Sequence, residues 1–244
     1  MTESQSSRAT PQPWRPHEFD HRHGDVSGGW LRAATFGAMD GLVSNTALIA
    51  GVGAAADAHT VVISGFAGLV AGAFSMALGE FASVTTANEQ IESEVRVEKR
   101  AFRLHPQAEK AELVDMLVSM GMAQETALKA SDEIHRDEGR ALNVHLSQEL
   151  GVDPEEKPSP YVAAGSSFIM FAIGAIVPLI PYLLGFRSLW LGMLFGGVGL
   201  LIAGGVAARF TKKPVWWASL RQLLFGTVAI AATYVVGHLV GTVI

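Results

Sequence analysis

The sequence contains no cysteine among its 244 residues. This absence excludes thiolate metal sites and cysteine nucleophiles, and it removes any inference about redox compartment. A metal ion bound by this chain must take its ligands from carboxylates, imidazoles, thioethers or water. Such ligands favour Fe(II) or Mn(II), permit Co(II), Ni(II) and Zn(II), and disfavour Cu(I).

Charged residues are also scarce, at 17% of the chain against 49% hydrophobic residues. The apolar residues occur in blocks too long for a soluble core, and a block of about 20 residues crosses a bilayer as a helix. The sequence therefore predicts an all-α integral membrane protein with five transmembrane helices, the first of which is the weakest because it is rich in Gly and Ala. The predicted spans are 31–55, 60–84, 161–184, 189–208 and 215–240.

The placement of Lys and Arg predicts the orientation of these spans. Basic residues precede span 1, fill the insert between spans 2 and 3, and lie between spans 4 and 5, whereas the other two connections carry only Arg187. Because Lys and Arg concentrate on the cytoplasmic side, we expect a cytosolic N-terminus and an external C-terminus. Residues 1–29 are polar and proline-containing without an apolar segment, which predicts a disordered tail and not a signal peptide.

The insert between spans 2 and 3 is acidic. Residues 89–156 contain 16 Asp and Glu against eight Lys and Arg, a net charge of −8, whereas the rest of the chain sums to +3. Apolar residues at helical spacing predict three short helices at about 107–120, 123–136 and 138–150. The predicted domains are a cytosolic tail (1–29), transmembrane helices 1 and 2 (30–88), a cytosolic acidic helical metal-binding domain (89–158) and transmembrane helices 3 to 5 (159–244).

Two features predict unusual membrane helices. Because no stop signal separates Thr60 from Leu104, span 2 is expected to continue into the insert as one helix. Pro178 and Pro181 are expected to break span 3 and to free backbone carbonyls there.

Ionisable and thioether side chains within the first two spans suggest a path for cations. Asp40 in span 1 and Met76 in span 2 are predicted at similar depth, and Glu80 lies one turn from Met76 on the same face. A charged residue at the centre of a span costs at least ~2.5 kcal/mol, so it needs a compensating role. The alternatives are a structural hydrogen bond for Asp40, an interfacial position for Glu80 and core packing for Met76.

Pairs of metal-binding side chains recur on the insert helices. Their spacing of three or four residues places both members on one helix face. Three such faces brought together would form a carboxylate-rich divalent cation site, whereas each pair alone is more often solvated surface. The pairs are Glu94 with Glu98, Glu109 with Glu112, and His145 with Glu149.

Five sequence segments resemble the vacuolar iron transporter family, including its bacterial members. They are GWLRAATFGAMDGLVSNTALIAGV, SMALGEFASV, HPQAEKAELVDMLVSMGM, HLSQELG and GAIVPLIPYLL, and the resemblance covers roughly residues 28–240. It implies a homodimer with five spans per chain, a cytosolic three-helix metal-binding domain between spans 2 and 3, and proton-coupled export of Fe(II) and related ions from the cytosol. The first two spans of both subunits would line the path.

Carried onto this chain, the resemblance implies roles for individual residues. The pathway positions are Asp40, Met76 and Glu80, and the ligands in the insert are Glu98, Glu109, Glu112 and Glu149. Two departures stand out, because the family pattern has Glu where this chain has Ala101 and commonly Met where it has His145. Fewer bound ions or a shifted metal preference are therefore expected.

The expected partners are divalent metal ions, protons, a second copy of the chain and a lipid membrane, for which a bacterial inner membrane is predicted. We expect no prosthetic group, no nucleic acid and no enzymatic activity. One alternative is a membrane-tethered di-iron carboxylate enzyme, although such sites use two Glu-x-x-His motifs and the chain offers only Asp132-x-x-His135. The other is a metal-sensing or scaffold protein without transport, and neither alternative needs Asp40 in lipid.

Overall fold

The computed structural model describes residues 29–149, 151, 157–211 and 213–243, and the regular structure within them is helical. A 3₁₀ turn, Val177–Leu179, separates two of the helices. The helices are α1 (Gly29–Gly53), α2 (Ala58–Leu104), α3 (Pro106–Ser119), α4 (Gln124–Ile134), α5 (Glu138–Glu149), α6 (Pro160–Ile176), α7 (Ile180–Leu183), α8 (Leu189–Thr211) and α9 (Val215–Val243).

Helix α2 runs without interruption for 47 residues, as the sequence predicts. Its start is fixed by Asp57, whose Oδ1 accepts hydrogen bonds from the backbone N of Thr60 at 2.9 Å and from the Thr60 hydroxyl at 2.7 Å. Its end at Leu104 precedes Pro106, which cannot continue a helix but suits the first turn of α3. At 1.5 Å per residue the helix is about 70 Å long, more than twice the thickness of a bilayer's hydrocarbon core.

The predicted break in the third span is also confirmed. Helix α6 ends at Ile176, the 3₁₀ turn contains Pro178, and Pro181 follows in the first turn of α7. Each proline removes a backbone donor and crowds the preceding turn, so one regular helix cannot pass through this segment.

Four helices in the described part of the chain are long and apolar enough to cross a membrane, which supports a multi-pass membrane protein. The stretches concerned are Ala58–Leu104, Pro160–Leu183, Leu189–Phe210 and Val215–Thr242. Helix α1 is not among them, although it has 25 residues. The count of five transmembrane helices therefore stays a prediction.

Helix α1 nevertheless packs at the centre of the bundle, against α2, α6, α8 and α9. Small residues permit this arrangement, since a Cβ added to Gly41 would collide with the backbone of Phe171, and one added to Gly174 would collide with that of Ala38. Close backbone approach through Gly is the usual way in which membrane helices gain contact without large apolar side chains. A Gly- and Ala-rich helix can therefore occupy the interior here.

Helices α3 to α5 and the polar end of α2 (residues 89–104) form what we call the lobe. Leu113, Val114, Leu117 and Ala127 are its buried apolar core, shared by α3 and α4. Gly121, with φ of 97°, reverses the chain after α3. The lobe helices lie within about two residues of their predicted bounds, which is the usual uncertainty of helix ends. The membrane body consists of α1, the apolar part of α2 (58–84) and α6 to α9.

Some predictions concern residues outside the described ranges. The predicted tail (1–29) lies outside them except for Gly29, which belongs to α1. The predicted end of the third lobe helix at residue 150 and the return to the membrane through residues 152–156 also lie outside them. The proposed domain boundaries stay predictions.

Candidate metal sites in the lobe and the membrane body

The lobe brings four of the predicted ligands together, with three carboxylates around His145. Its Nδ1 lies 3.0 Å from Oε1 of Glu98 on α2 and 3.7 Å from Oε2 of Glu109 on α3. On α5 itself, Oε1 of Glu149 lies 3.4 Å from the same nitrogen. The i,i+4 spacing of His145 and Glu149 puts both on the face of α5 that packs against α2.

These side chains are withdrawn from solvent although they are ionisable. His145 is fully buried, and Glu98 and Glu109 expose only 12% and 9% of their side chains. Oε1 of Glu98 and both ring nitrogens of His145 have no hydrogen-bond partner among the described residues. One ligand atom from each of Glu98, Glu109 and His145 falls within a common span of 4.8 Å. The geometry suits a divalent cation, because such an ion would satisfy the buried atoms together.

The electrostatics of this cluster agree with the geometry, and its groups lie beyond the apolar part of α2. Burial, followed by the charges of Glu149 and Glu109, raises the pKa of Glu98 to about 7. Burial and then the charges of Glu112 and Glu109 raise the pKa of Glu149. Burial lowers the pKa of His145, which keeps the imidazole neutral and available as a ligand. Both the carboxylates and the imidazole therefore favour a cation.

Two predicted ligands lie outside the cluster. Glu112 is exposed on α3 and reaches the site only through its charge, which raises the pKa values of Glu98 and Glu149. Glu94 is half-buried one turn from Glu98, and it is not part of the three-residue cluster found within the described residues. The structure therefore separates the six predicted lobe ligands into a group of four and two outlying residues.

The half-motif for a di-iron site is not assembled in the lobe. Asp132 is exposed and its Oδ1 pairs with Nζ of Lys110 at 2.9 Å. Nδ1 of His135 instead lies 2.8 Å from the backbone oxygen of Ser131. The two members of Asp132-x-x-His135 thus have different partners, which gives the di-iron alternative no support.

In the membrane body, Asp40 and Met76 line the same cavity. This cavity between α1 and α2 has a volume of about 310 Å³, and its wall includes Ser44, Asn45 and Phe171. The Ser44 hydroxyl donates to the backbone oxygen of Asp40 at 2.6 Å and not to its carboxylate. The expectation that residues of antiparallel spans would meet at one depth is consistent with this arrangement.

Asn45 is a polar residue of this cavity that the sequence analysis missed. It is buried, and its Nδ2 donates to the backbone oxygen of Ala175 at 2.5 Å. Its Oδ1 has no partner within the part of the chain that the structure describes. Spacing gave no signal for Asn45, because five residues turn a helix by about 140° and so place Asn45 on a different face of α1 from Asp40.

Glu80 lies outside this cavity and has a basic partner. Its Oε2 is 3.1 Å from Nη2 of Arg32 on α1, and Glu80 is only 8% exposed whereas the Arg32 side chain is 66% exposed. The sequence analysis used Arg32 for orientation alone. Arg32 is about two turns before Asp40, and Glu80 is about one turn beyond Met76 on the antiparallel helix. The pairing itself is set by how α1 packs on α2.

Comparison with known proteins gives the family. The sequence model of the VIT family matches residues 31–238. Vacuolar iron transporter homolog 1 of Arabidopsis thaliana is 34% identical over 217 residues, which cover 87% of this chain and 84% of that protein. The vacuolar iron transporter of Acanthamoeba castellanii is 31% identical, with coverage of 86% and 78%. Vacuolar iron transporter 1 of Oryza sativa subsp. japonica is 30% identical, with coverage of 89% and 88%.

The resemblance stated from the motifs is thereby confirmed over most of the chain. These relatives are named as transporters and not as enzymes, which agrees with the expectation of a non-enzymatic protein. The chain belongs to the VIT family.

Proposed function

We propose that this protein transports divalent metal ions, Fe(II) foremost, across a membrane through the cavity between α1 and α2. The observation that carries the proposal is the presence of Asp40 and Met76 in the wall of one cavity of the membrane body. A carboxylate at such a position is unfavourable by at least ~2.5 kcal/mol unless it has a function or a partner. The names of the relatives, which refer to iron transport, support the same substrate.

The chemistry of the cavity suits first-row divalent ions. Asp40 supplies a carboxylate, Asn45 a buried amide oxygen and Met76 a thioether. Oxygen ligands with one softer sulfur favour Fe(II) and accept Mn(II), while Co(II), Ni(II) and Zn(II) remain compatible. Met76 is the residue that separates this set from a site for Mg(II) or Ca(II), which take oxygen ligands only.

The lobe supplies ions to the membrane body in this proposal. Glu98 of the lobe cluster and Glu80 lie on the same helix, about 27 Å apart along its axis at 1.5 Å per residue. A continuous helix holds the two positions at a fixed distance, so an ion released from the lobe is delivered near Glu80. There it displaces the Arg32 guanidinium, which is weakly held because Arg32 is mostly exposed.

A second copy of the chain completes the path. Asp40 is exposed in the single chain, and Phe36 and Phe74 are large apolar residues exposed nearby on α1 and α2. Lipid against Asp40 would be unfavourable, whereas a two-fold partner would cover this face and bring two Asp40 carboxylates to one pathway. A homodimer with α1 and α2 of both subunits at its centre therefore fits the proposal.

Direction and coupling follow from charge. The distribution of basic residues supports a cytosolic position for the lobe, and ions captured there would leave the cytosol through the membrane body. A buried carboxylate that exchanges a metal ion for protons couples the two fluxes, because either cation satisfies it. The proposed mechanism is therefore metal–proton antiport.

The direct test is flux in proteoliposomes. Purified full-length protein would be challenged with Fe(II), Mn(II), Co(II) and Zn(II), with one dye for the metal and another for internal pH. Under the proposal, an imposed proton gradient drives the metal in the direction opposite to the proton flux, and protons move across the membrane for each ion transported. Metal flux that ignores the gradient and leaves internal pH unchanged would reject antiport, and no flux of any ion would reject transport.

A further inference from the structure

His145 has two ring nitrogens, and the carboxylate cluster accounts for only one of them. Nδ1 faces Glu98, Glu109 and Glu149, as described above. Nε2 is separated from Nδ1 by Cε1 and is buried without a hydrogen-bond partner in the described residues. A fully buried polar atom without a partner is rare in a folded protein and requires an explanation.

The ring of another histidine packs against His145 and has the same property. The ring centroids of His135 and His145 are 5.4 Å apart and their planes are perpendicular. Nδ1 of His135 is 2.8 Å from the backbone oxygen of Ser131, which can only accept, so this nitrogen carries the proton. Nε2 of His135 is then a lone-pair acceptor, and it too is buried with no partner within the described ranges.

Each imidazole has an oxygen close to Nδ1, which is a hydrogen bond in His135 and a 3.0 Å contact in His145. A metal-bound histidine almost always directs its other ring N–H at a carboxylate or a backbone carbonyl, which fixes the tautomer and the ring. His145 has the Glu98 carboxylate at 3.0 Å from Nδ1, and His135 has the Ser131 carbonyl. The ring separation also fits, since two imidazoles on one ion with metal–nitrogen bonds of ~2.0–2.1 Å have centroids roughly 5 Å apart.

We propose that His135 and His145 form a second metal site in the lobe, distinct from the carboxylate cluster. Its ligands are the two Nε2 atoms, and imidazole pairs suit Zn(II), Cu(II), Co(II) and Ni(II) better than Mn(II). A cavity of about 200 Å³ lies beside His135 and has room for water, and its wall includes Phe102, Glu138 and the basic residues Arg103 and Lys110. Phe102 packs edge-on against both imidazoles, at 5.6 Å and 5.0 Å, and closes the other side.

The two sites share His145 and therefore exclude each other. A neutral imidazole has one lone pair, which is either on Nδ1 for the carboxylate cluster or on Nε2 for the histidine pair. An ion on the pair requires Nδ1–H, which Glu98 and Glu149 then accept. Zn(II) or Cu(II) thus withdraws the imidazole from the site proposed to supply the membrane path. The binding claim itself stands apart from transport, whereas this selective role rests on the proposed function.

The competing explanation is that the three rings only pack against one another. Perpendicular aromatic contacts are favourable and account for the positions of Phe102, His135 and His145. They do not account for two Nε2 atoms without partners, which apolar rings would avoid.

The test measures binding to the full-length protein in detergent, with His17, His21 and His23 replaced by Gln in every sample. This background removes tail imidazoles that would bind the same probes. His135→Phe keeps a ring in place without a ligand, His135→Gln changes the shape, and His105→Gln is the matched control because His105 is an exposed lobe histidine. Zn(II) affinity is measured against a chromogenic chelator, and Mn(II) affinity by electron paramagnetic resonance.

We expect both His135 variants to bind Zn(II) at least about tenfold more weakly. Loss of a residue that only supports a ligand already lowers metal affinity by about tenfold, and loss of a ligand should lower it at least as much. Mn(II) binding should stay unchanged in them, and His105→Gln should alter neither ion. Unchanged Zn(II) affinity in both His135 variants would overturn the proposal.

The spectrum of Cu(II) bound to the background protein, which keeps His135, tests the proposal without relying on the folding of the His135 variants. This paramagnetic resonance spectrum should show coupling to two imidazole nitrogens, and to one after His135→Phe. Coupling to one nitrogen or none in the background protein would mean that the rings only pack. Because no step measures flux, a failure here is distinguishable from a failure of metal transport.

Discussion

Glu98 in the lobe and Glu80 in the membrane body lie on one helix, yet their carboxylates have different surroundings. Glu98 meets other carboxylates and a neutral imidazole, and burial followed by the neighbouring carboxylate charges raises its pKa to about 7. Glu80 has the Arg32 guanidinium 3.1 Å away. A cluster of carboxylates without a basic partner is strongly stabilised by a bound cation. A carboxylate that is already paired with Arg32 is stabilised only by the difference in interaction free energy between the metal ion and the guanidinium.

The lobe and the membrane body also differ in how closely their ligand atoms are spaced. Ligand atoms of Glu98, Glu109 and His145 fall within 4.8 Å of one another, whereas Asp40 and Met76 lie in the wall of a cavity of about 310 Å³. A tight set of ligands retains an ion, and a wider cavity with fewer ligands lets it leave. The comparison leads to the hypothesis that the lobe captures ions and the membrane body passes them, and the following predictions test that separation.

The largest expected effect belongs to Asp40→Asn. The change keeps the volume but removes the charge of the cavity, and a loss of about 3 kcal/mol corresponds to a flux lower by roughly 100-fold. Metal binding by the lobe should be unchanged, as measured by calorimetry on the same preparation. Ser75→Ala, another polar position of the cavity, is the control and should transport normally. Normal flux in well-folded Asp40→Asn protein would remove Asp40 from the pathway.

The next effect concerns the lobe. Glu109→Gln should weaken Mn(II) binding by roughly 10- to 100-fold, since a charged ligand is lost from a buried cluster. Glu133→Gln makes the same chemical change at an exposed lobe position and should do nothing. Glu94→Gln should resemble this control, because Glu94 lies outside the cluster. Calorimetry on the three variants checks the order, and equal losses in all of them would mean that the lobe binds ions only by its net charge.

Acidification should weaken metal binding by the lobe. Glu98 must lose a proton to bind a metal, so Mn(II) affinity should fall by up to about tenfold per pH unit below 7. The stability of the lobe without metal changes in the opposite direction. A carboxyl with a raised pKa favours the folded state at low pH and loses that contribution as pH rises through about 7.

Hydrogen exchange of α3 to α5 tests both signs at once. Exchange without metal should be faster at pH 8 than at pH 6 after correction for the intrinsic rate, and Mn(II) should remove the difference. Exchange that is independent of pH would show that Glu98 ionises normally.

The smallest effect is expected at the Arg32–Glu80 pair. Arg32 is 66% exposed, so the pair contributes at most about 1 kcal/mol and its loss changes affinity by no more than about fivefold. Arg32→Gln should therefore lower the metal concentration for half-maximal flux by two- to fivefold, because Glu80 becomes free for the ion. Arg209→Gln, at an exposed arginine of α8, serves as the control. A higher half-saturating concentration in Arg32→Gln would mean that Arg32 positions Glu80 instead of competing with the metal.

Local signals in the sequence account for much of the fold. The length of α2 follows from an unbroken run without Pro, and the break after α6 follows from Pro178 and Pro181. The grouping of ligands on helix faces follows from i,i+4 spacing. Hydropathy does not identify α1 as a span, because its close packing depends on Gly41 and Gly174 meeting opposite backbones.

Properties that depend on distant parts of the chain were not predictable. The exclusion of Glu94 and Glu112 from the cluster is set by the rotation of α2 and α3 against α5, which no spacing within one helix reveals. The pairing of Arg32 with Glu80 and the partnerless Oδ1 of Asn45 likewise depend on how α1 packs on its neighbours. Spacing identified candidate ligands, and tertiary packing selected among them.

The concentration dependence of flux in Glu98→Gln/Glu109→Gln protein tests most directly whether the lobe captures and the membrane body carries. If so, the double variant needs at least about tenfold more Mn(II) for half-maximal flux, yet it reaches the wild-type maximum rate at saturation. A maximum rate that falls in proportion to the lost binding, with the half-saturating concentration unchanged, would place the lobe ligands in the transport step itself and contradict the account.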